Sequence, residues 1–102
     1  MVFSVYKVMS GSTGVVIVSY NSASCLASCV EAALKHFQEV VVVDNGSADG
    51  SAACARRVVL TEGQRLDVWE AGKNLGFAGG VNAGVRRLRT ARPRPMGRAR
   101  RD

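Results

Sequence analysis

A chain of 102 residues, 47% hydrophobic and 22% charged, makes one small globular domain and no more. Its formal net charge of +6 belongs to one end: residues 1–85 carry six Lys/Arg against seven Asp/Glu, and residues 86–102 carry eight Arg against Asp102 alone. The near-neutral body argues against nucleic acid as a partner, and no stretch approaches the ~20 apolar residues of a transmembrane segment.

Met1 to Met9 is mildly apolar but is broken by Lys7. It has neither the basic start nor the long apolar centre of a signal peptide. With Ser10–Gly14 it reads as a flexible leader, residues 1–14. The first strand is expected at about 15–19. Val15-Val16-Ile17-Val18 is a continuous aliphatic run, as in a parallel strand covered on both faces. It stops abruptly at Ser19, Tyr20 and Asn21. Ser22 or Ser24 is the expected N-cap of a helix reaching about Phe37. Leu26, Val30, Ala33, Leu34 and Phe37 share one face of it. His36, near its end, reads as a surface residue at the negative end of the helix dipole.

The second strand is expected at about 39–43. Val40-Val41-Val42-Val43 repeats the first pattern and runs into Asp44-Asn45-Gly46-Ser47. Residues 45–50 are turn chemistry, with Ser47 or Asp49 capping a second helix from about Gly50. Val58-Val59-Leu60 either finishes that helix or forms a short strand. Leu66–Glu70 alternates and reads as a third, weaker strand. In Asn74–Val85, Gly76, Gly80 and Gly84 are four apart, which on a helix makes one stripe without side chains. Each Gly weakens a helix by ~1 kcal/mol relative to Ala. The stripe therefore serves either tight packing on the sheet or a loop-to-helix transition lying against a ligand. Residues 89–102, with two Pro and a run of like charge, are expected to be a disordered Arg-rich tail.

Cys25, Cys29 and Cys54 form no zinc set, since His36 is the one histidine. Cys25 and Cys29, at i and i+4 of the expected helix, lie too far apart for easy disulfide closure. They read as small, partly buried residues in a reducing, cytoplasmic setting.

Two buried strands with a helix between them make a βαβ unit, and ligands of such sheets bind outside the carboxyl ends of the strands. Ser19, Tyr20, Asn21, Asp44 and Asn45 fall there. A carboxylate at Asp44 can accept from a base nitrogen or a ribose hydroxyl, and Tyr20 can stack on a base. The first strand is not followed by Gly-x-Gly-x-x-Gly, which excludes a dinucleotide site of that kind. There is no phosphate-binding Gly-Lys-Ser/Thr loop and no Gly-x-Ser-x-Gly elbow.

Three segments, Val15–Asn21, Glu39–Ser51 and Asn74–Gly84, resemble in order and spacing the family 2 glycosyltransferases, most of all the rhamnosyltransferase-like branch acting on cell-surface polysaccharide. The resemblance covers residues 15–88. It implies an α/β fold: a three-layer, Rossmann-like parallel sheet forming an incomplete GT-A nucleotide-binding half. It implies a nucleotide-sugar donor, UDP- or dTDP-linked, and transfer of the sugar to a hydroxyl. Ser19, Tyr20 and Asn21 would then border the nucleoside, with Asn45 beside them. Asp44 would take the N3–H of the base. Gly76 and Asn82 would lie toward the ribose and diphosphate.

In the complete family enzyme a fourth strand leads to an acidic motif holding a divalent cation, Mg or Mn. Here Arg89–Asp102 stands in that place. The chain is thus expected to be an amino-terminal piece with no catalytic residue, no cofactor of its own and no transfer activity alone. In the resembling fold the first strand pairs with the fourth. Val15–Val18 is therefore expected to be an open edge through which the chain associates with itself. The alternatives are a non-catalytic binding module using the basic tail, and a truncated remnant without function.

Overall fold

The computed structural model describes residues 2–7 and 13–91. In order these form strand β1 (Val2–Lys7), strand β2 (Thr13–Ser19), helix α1 (Leu26–Leu34), strand β3 (Glu39–Asp44), helix α2 (Ser51–Arg56), strand β4 (Arg65–Glu70) and helix α3 (Gly76–Ala91). One four-stranded sheet runs β1-β2-β3-β4. β2, β3 and β4 are parallel, with Val15 beside Val40 and Val40 beside Leu66. α1 and α2 cover one face and α3 the other. This is the three-layer α/β arrangement expected from the two valine runs.

The alternation of side chains along each strand sorts the core into two halves. Val15, Ile17, Val40 and Val42 meet Leu26, Val30, Ala33 and Leu34 of α1 and Ala55 of α2. Val16, Val18, Val41 and Val43 meet Leu88 of α3, with Val81, Val85 and Trp69 at the margin. Every residue from Val15 to Val18 and from Val40 to Val43 is buried. Burying one such side chain is worth about 2 kcal/mol, so these eight positions dominate the stability of the fold.

The leader is corrected by the structure. Residues 2–7 are a strand, antiparallel to β2 from Val2 opposite Val18 to Lys7 opposite Thr13. The segment is rich in Val, Phe and Tyr, which suit a pleated strand. It forms one because β2 offers it an unpaired edge. Val15–Val18 is therefore not an open edge but is paired along its length with β1. At the other end of the chain, α3 carries residues 89–91 in helix. The expected tail beyond them, residues 92–102, lies outside the described residues.

Three boundaries also differ. α1 starts at Leu26 with Cys25 as its N-cap, and no side chain caps it. Ser22 contributes its backbone carbonyl instead, which accepts from the N–H groups of Cys25 and Leu26 at 3.0 and 2.8 Å. Val58–Leu60 is neither helix nor strand. The glycine stripe packs: a Cβ on Gly80 or Gly84 would meet Val18 Cγ1 at 2.8 Å or Val16 Cγ1 at 2.2 Å.

β4 is the outer strand on its side. Asp67 receives Arg87 of α3 in a two-pronged pair, Nε to Oδ2 at 2.7 Å and Nη2 to Oδ1 at 3.0 Å. The Arg87 guanidinium also lies 5.5 Å from the centre of the Trp69 ring. Glu70 pairs with Arg56 of α2 at 2.8 Å. Among the described residues no helix is long and apolar enough to cross a membrane.

Candidate functional site

The carboxyl ends of β2 and β3 lie side by side, with Ser19 opposite Asp44. The ladder continues one step further, since the Asn45 N–H donates to the Ser19 carbonyl at 2.8 Å. Two loops leave this end, 20–25 toward α1 and 45–50 toward α2, and side chains stitch them together. The Asn21 N–H donates to Ser47 Oγ at 2.7 Å, and the Ala48 N–H donates to Asn21 Oδ1 at 3.0 Å. The Ser22 N–H donates to Ser51 Oγ at 3.0 Å, and the Ala23 N–H to Asp49 Oδ2 at 3.1 Å. Asn21 is held at a φ of 48°, a left-handed conformation that asparagine tolerates better than most residues.

Asp44 is buried, at 2% exposure. Both carboxylate oxygens are engaged inside the loop: Oδ2 accepts from the Ser47 N–H at 3.3 Å and Oδ1 from the Ser47 hydroxyl. Asn45 is buried as well and reaches the other way. Its Oδ1 accepts from the Leu75 N–H and its Nδ2 donates to the Gly76 carbonyl, both at 3.1 Å. Gly76 opens α3 at a φ of 75°, with its N–H on Asn74 Oδ1 at 2.8 Å. Asn45 thus joins the sheet end to the start of α3.

The Ser19 hydroxyl is fully buried and has no hydrogen-bond partner among the described residues. Tyr20, the next residue, is 53% exposed at the rim. Ser19, Tyr20, Asn21, Asp44, Asn45 and Gly76 therefore gather at one end of the sheet. Asn82 does not join them. It is exposed and lies two residues from both Gly80 and Gly84, hence on the side of α3 away from the sheet. The residues that sequence reasoning did not place here are Ser47, Asp49 and Ser51. Their turn composition was visible, but their partners lie some 26–29 residues away along the chain.

Asp49 has its carboxyl pKa lowered, first by the Ser51 hydroxyl and then by the Ala23 N–H. A lowered folded-state pKa means that the carboxylate's contribution is complete above its unfolded pKa. That contribution is lost as pH falls through the lower, folded value. The stitch between the two loops is therefore expected to loosen only below the ordinary carboxylate range. Amide exchange at Ala23 and Ser51 should accelerate there, and Asp49→Asn should remove that pH dependence. An acceleration unchanged in the variant would count against it.

Among the described residues, no three His, Cys, Asp or Glu side chains converge as a metal site. A cavity of about 280 Å³ lined by Trp69, Ala83, Arg86 and Arg87 lies on the α3 face of β4, not over Asp44. The family model for glycosyl transferase family 2 matches residues 14–91. No curated protein and no solved structure matches the chain.

Proposed function

The chain belongs to glycosyl transferase family 2, and on that premise we propose that the end of the sheet built by Ser19–Asn21, Asp44–Ser47 and Gly76 receives the nucleotide of a sugar donor. The observation that carries this reading is Asn45. One side chain and its own N–H join the carboxyl end of β2, the end of β3 and the first residues of α3. The result is a rigid polar rim where ligands of open parallel sheets bind. Tyr20, exposed beside it, offers a flat face to a base. Gly76, left-handed and with nothing crowding its Cβ position, leaves room for a phosphate-bearing group near the start of α3. Asn82 would act from the outer side of that helix, on a ligand that extends past it.

The donor is proposed to be UDP- or dTDP-linked. The acceptor is proposed to be a hydroxyl of a cell-surface glycan, with the chain as the nucleotide-binding piece of a rhamnosyltransferase-like enzyme working from the cytoplasm. These finer assignments rest on the three motifs. A divalent cation does not fit the described residues, which bring no set of ligands together, and no step is derived through one.

Asp44 can act in two ways that are separable. It can accept a base N–H after releasing Ser47, or it can hold Ser47 so that the loop keeps its shape. Asp44→Asn is expected to weaken UDP or dTDP binding about tenfold, the loss of roughly one charge-assisted hydrogen bond. Calorimetry with Ser47→Ala alongside tells the two apart. A loss equal to that of Asp44→Asn assigns Asp44 to the loop, and a much smaller one assigns it to the base. If the wild-type chain gives no heat with either nucleotide and no perturbation of residues 19–21, the nucleotide reading fails.

A further inference from the structure

β4 has a neighbouring strand on one side only. On that side the Arg65 N–H donates to the Gln38 carbonyl at 2.7 Å, and the Ala71 N–H donates to the Asp44 carbonyl at 2.9 Å. Backbone groups alternate in direction along a strand, so Arg65, Asp67, Trp69 and Ala71 turn theirs toward β3. Leu66, Val68 and Glu70 turn theirs outward, as a row that a further strand could join.

Arg56, the last residue of α2, lies across the middle of that row. Its Nη2 donates to the Val68 carbonyl at 3.1 Å, and its Nη1 donates to Glu70 Oε2 at 2.8 Å. Glu70 belongs to the same strand, so one guanidinium is held along the edge at two points. The side chains of Arg56 and Glu70 are 48% and 55% exposed. An ion pair so open to water adds little to stability, because lost side-chain freedom and solvent screening offset its attraction. Its place on the strand has a separate consequence. The carbonyl that Arg56 takes is the central acceptor of the outward row, and an incoming strand would need it.

We propose that Arg56 closes the outer edge of β4 against strand pairing, and that the strand it excludes is β4 of a second copy of this chain. Two copies meeting edge to edge about a two-fold axis pair antiparallel. Residues directly opposite each other then share a face of the joined sheet. Two registers meet that condition and overlap most of the strand. One sets Asp67 against Asp67, which opposes like charges. The other sets Val68 against Val68, with Leu66 opposite Glu70, and it is the register assigned here. In it each Val68 N–H donates to the other copy's Val68 carbonyl. Arg56 occupies that carbonyl, so the two copies cannot close the central pair of hydrogen bonds while it stays in place.

The experiment compares the wild-type chain, Arg56→Ala and the double variant Arg56→Ala with Val68→Pro. Each is followed by sedimentation velocity and by amide exchange at increasing protein concentration. Alanine is the better helix former and residue 56 is exposed, so the fold is kept. Proline suits residue 68 because the N–H it removes faces outward. The Arg56→Ala chain is expected to shift to the sedimentation coefficient of a dimer as concentration rises. Exchange at the Val68 amide should slow in step, while the urea midpoint stays at the wild-type value. The wild-type Val68 amide should exchange at one rate throughout, and the double variant should lose the dimer. An Arg56→Ala chain whose Val68 amide stays unprotected at every concentration overturns the proposal. So does a dimer that persists in the double variant, or a wild-type Val68 amide that already slows with concentration.

Discussion

Gly84→Ala is expected to destabilise the fold by about 2–3 kcal/mol, although alanine is the better helix former by ~1 kcal/mol. A Cβ at residue 84 would stand 2.2 Å from Val16 Cγ1, 3.1 Å from Cγ2 and 3.2 Å from Cβ. Rotating the valine does not help, because its Cβ is also within reach and a β-branched side chain has few alternatives. Val16 itself is fully buried and lies between Ser4 of β1 and Val41 of β3, so the strand cannot retreat. The helix must lift, which opens the layer formed by Val16, Val18, Val41, Val43 and Leu88. A domain of this size has only about 5–15 kcal/mol of stability to lose. Gly80→Ala, with its nearest approach at 2.8 Å to Val18 Cγ1, should cost less. Urea denaturation gives both values. A Gly84→Ala chain as stable as the wild type would show that α3 rides higher on the sheet than described.

Asn45→Asp should cost about 2–3 kcal/mol at neutral pH and should recover part of that loss in acid. The two side-chain contacts of Asn45 are of opposite kinds, an acceptor to the Leu75 N–H and a donor to the Gly76 carbonyl. A carboxylate keeps the first and turns the second into two oxygens facing each other at a position only 4% exposed. Protonating the introduced carboxyl restores a donor. Thermal unfolding of wild type and variant across pH checks this, since the gap between them should narrow as pH falls. A gap that stays constant would mean that the Gly76 contact adds nothing. Nucleotide binding should fall with stability in this variant, because the start of α3 is released from the sheet.

The two halves of the core were readable because each strand is covered on both faces. A run such as Val40–Val43 has no other comfortable place. The rim was readable for the same reason, since the polar residues begin where the covering helices end. Three things were not readable. The strand at residues 2–7 depends on a free edge of β2, a tertiary fact that a short segment does not carry. The start of α1 was misplaced because serine at Ser22 and Ser24 is the usual cap, whereas here the cap position falls on Cys25 and Ser22 donates its N–H to Ser51. The inward turn of Asp44 is the third. Its type and position suggested a ligand group, and only the distance to Ser47 shows where its oxygens go. The glycine stripe left two meanings open. Gly80 and Gly84 settle on packing, while Gly76 stands apart at the helix start with open space around it.

The pairing of β1 with β2 also sets an order of events during folding. The two strands are joined through residues 8–12, so their contacts close a short loop of chain. A hairpin of this kind forms in about 1–10 μs. β2 can find β3, and β3 can find β4, only after an intervening helix has been traversed, and such distant pairings are slower. On these timescales the hairpin is expected to form before the parallel strands pair, an order that pulse-labelled amide exchange during refolding would check. It holds the β2 edge that would otherwise be the stickiest surface of the unfinished chain. Removing residues 1–7 would leave the folded contacts of β3 and β4 in place but would slow their assembly.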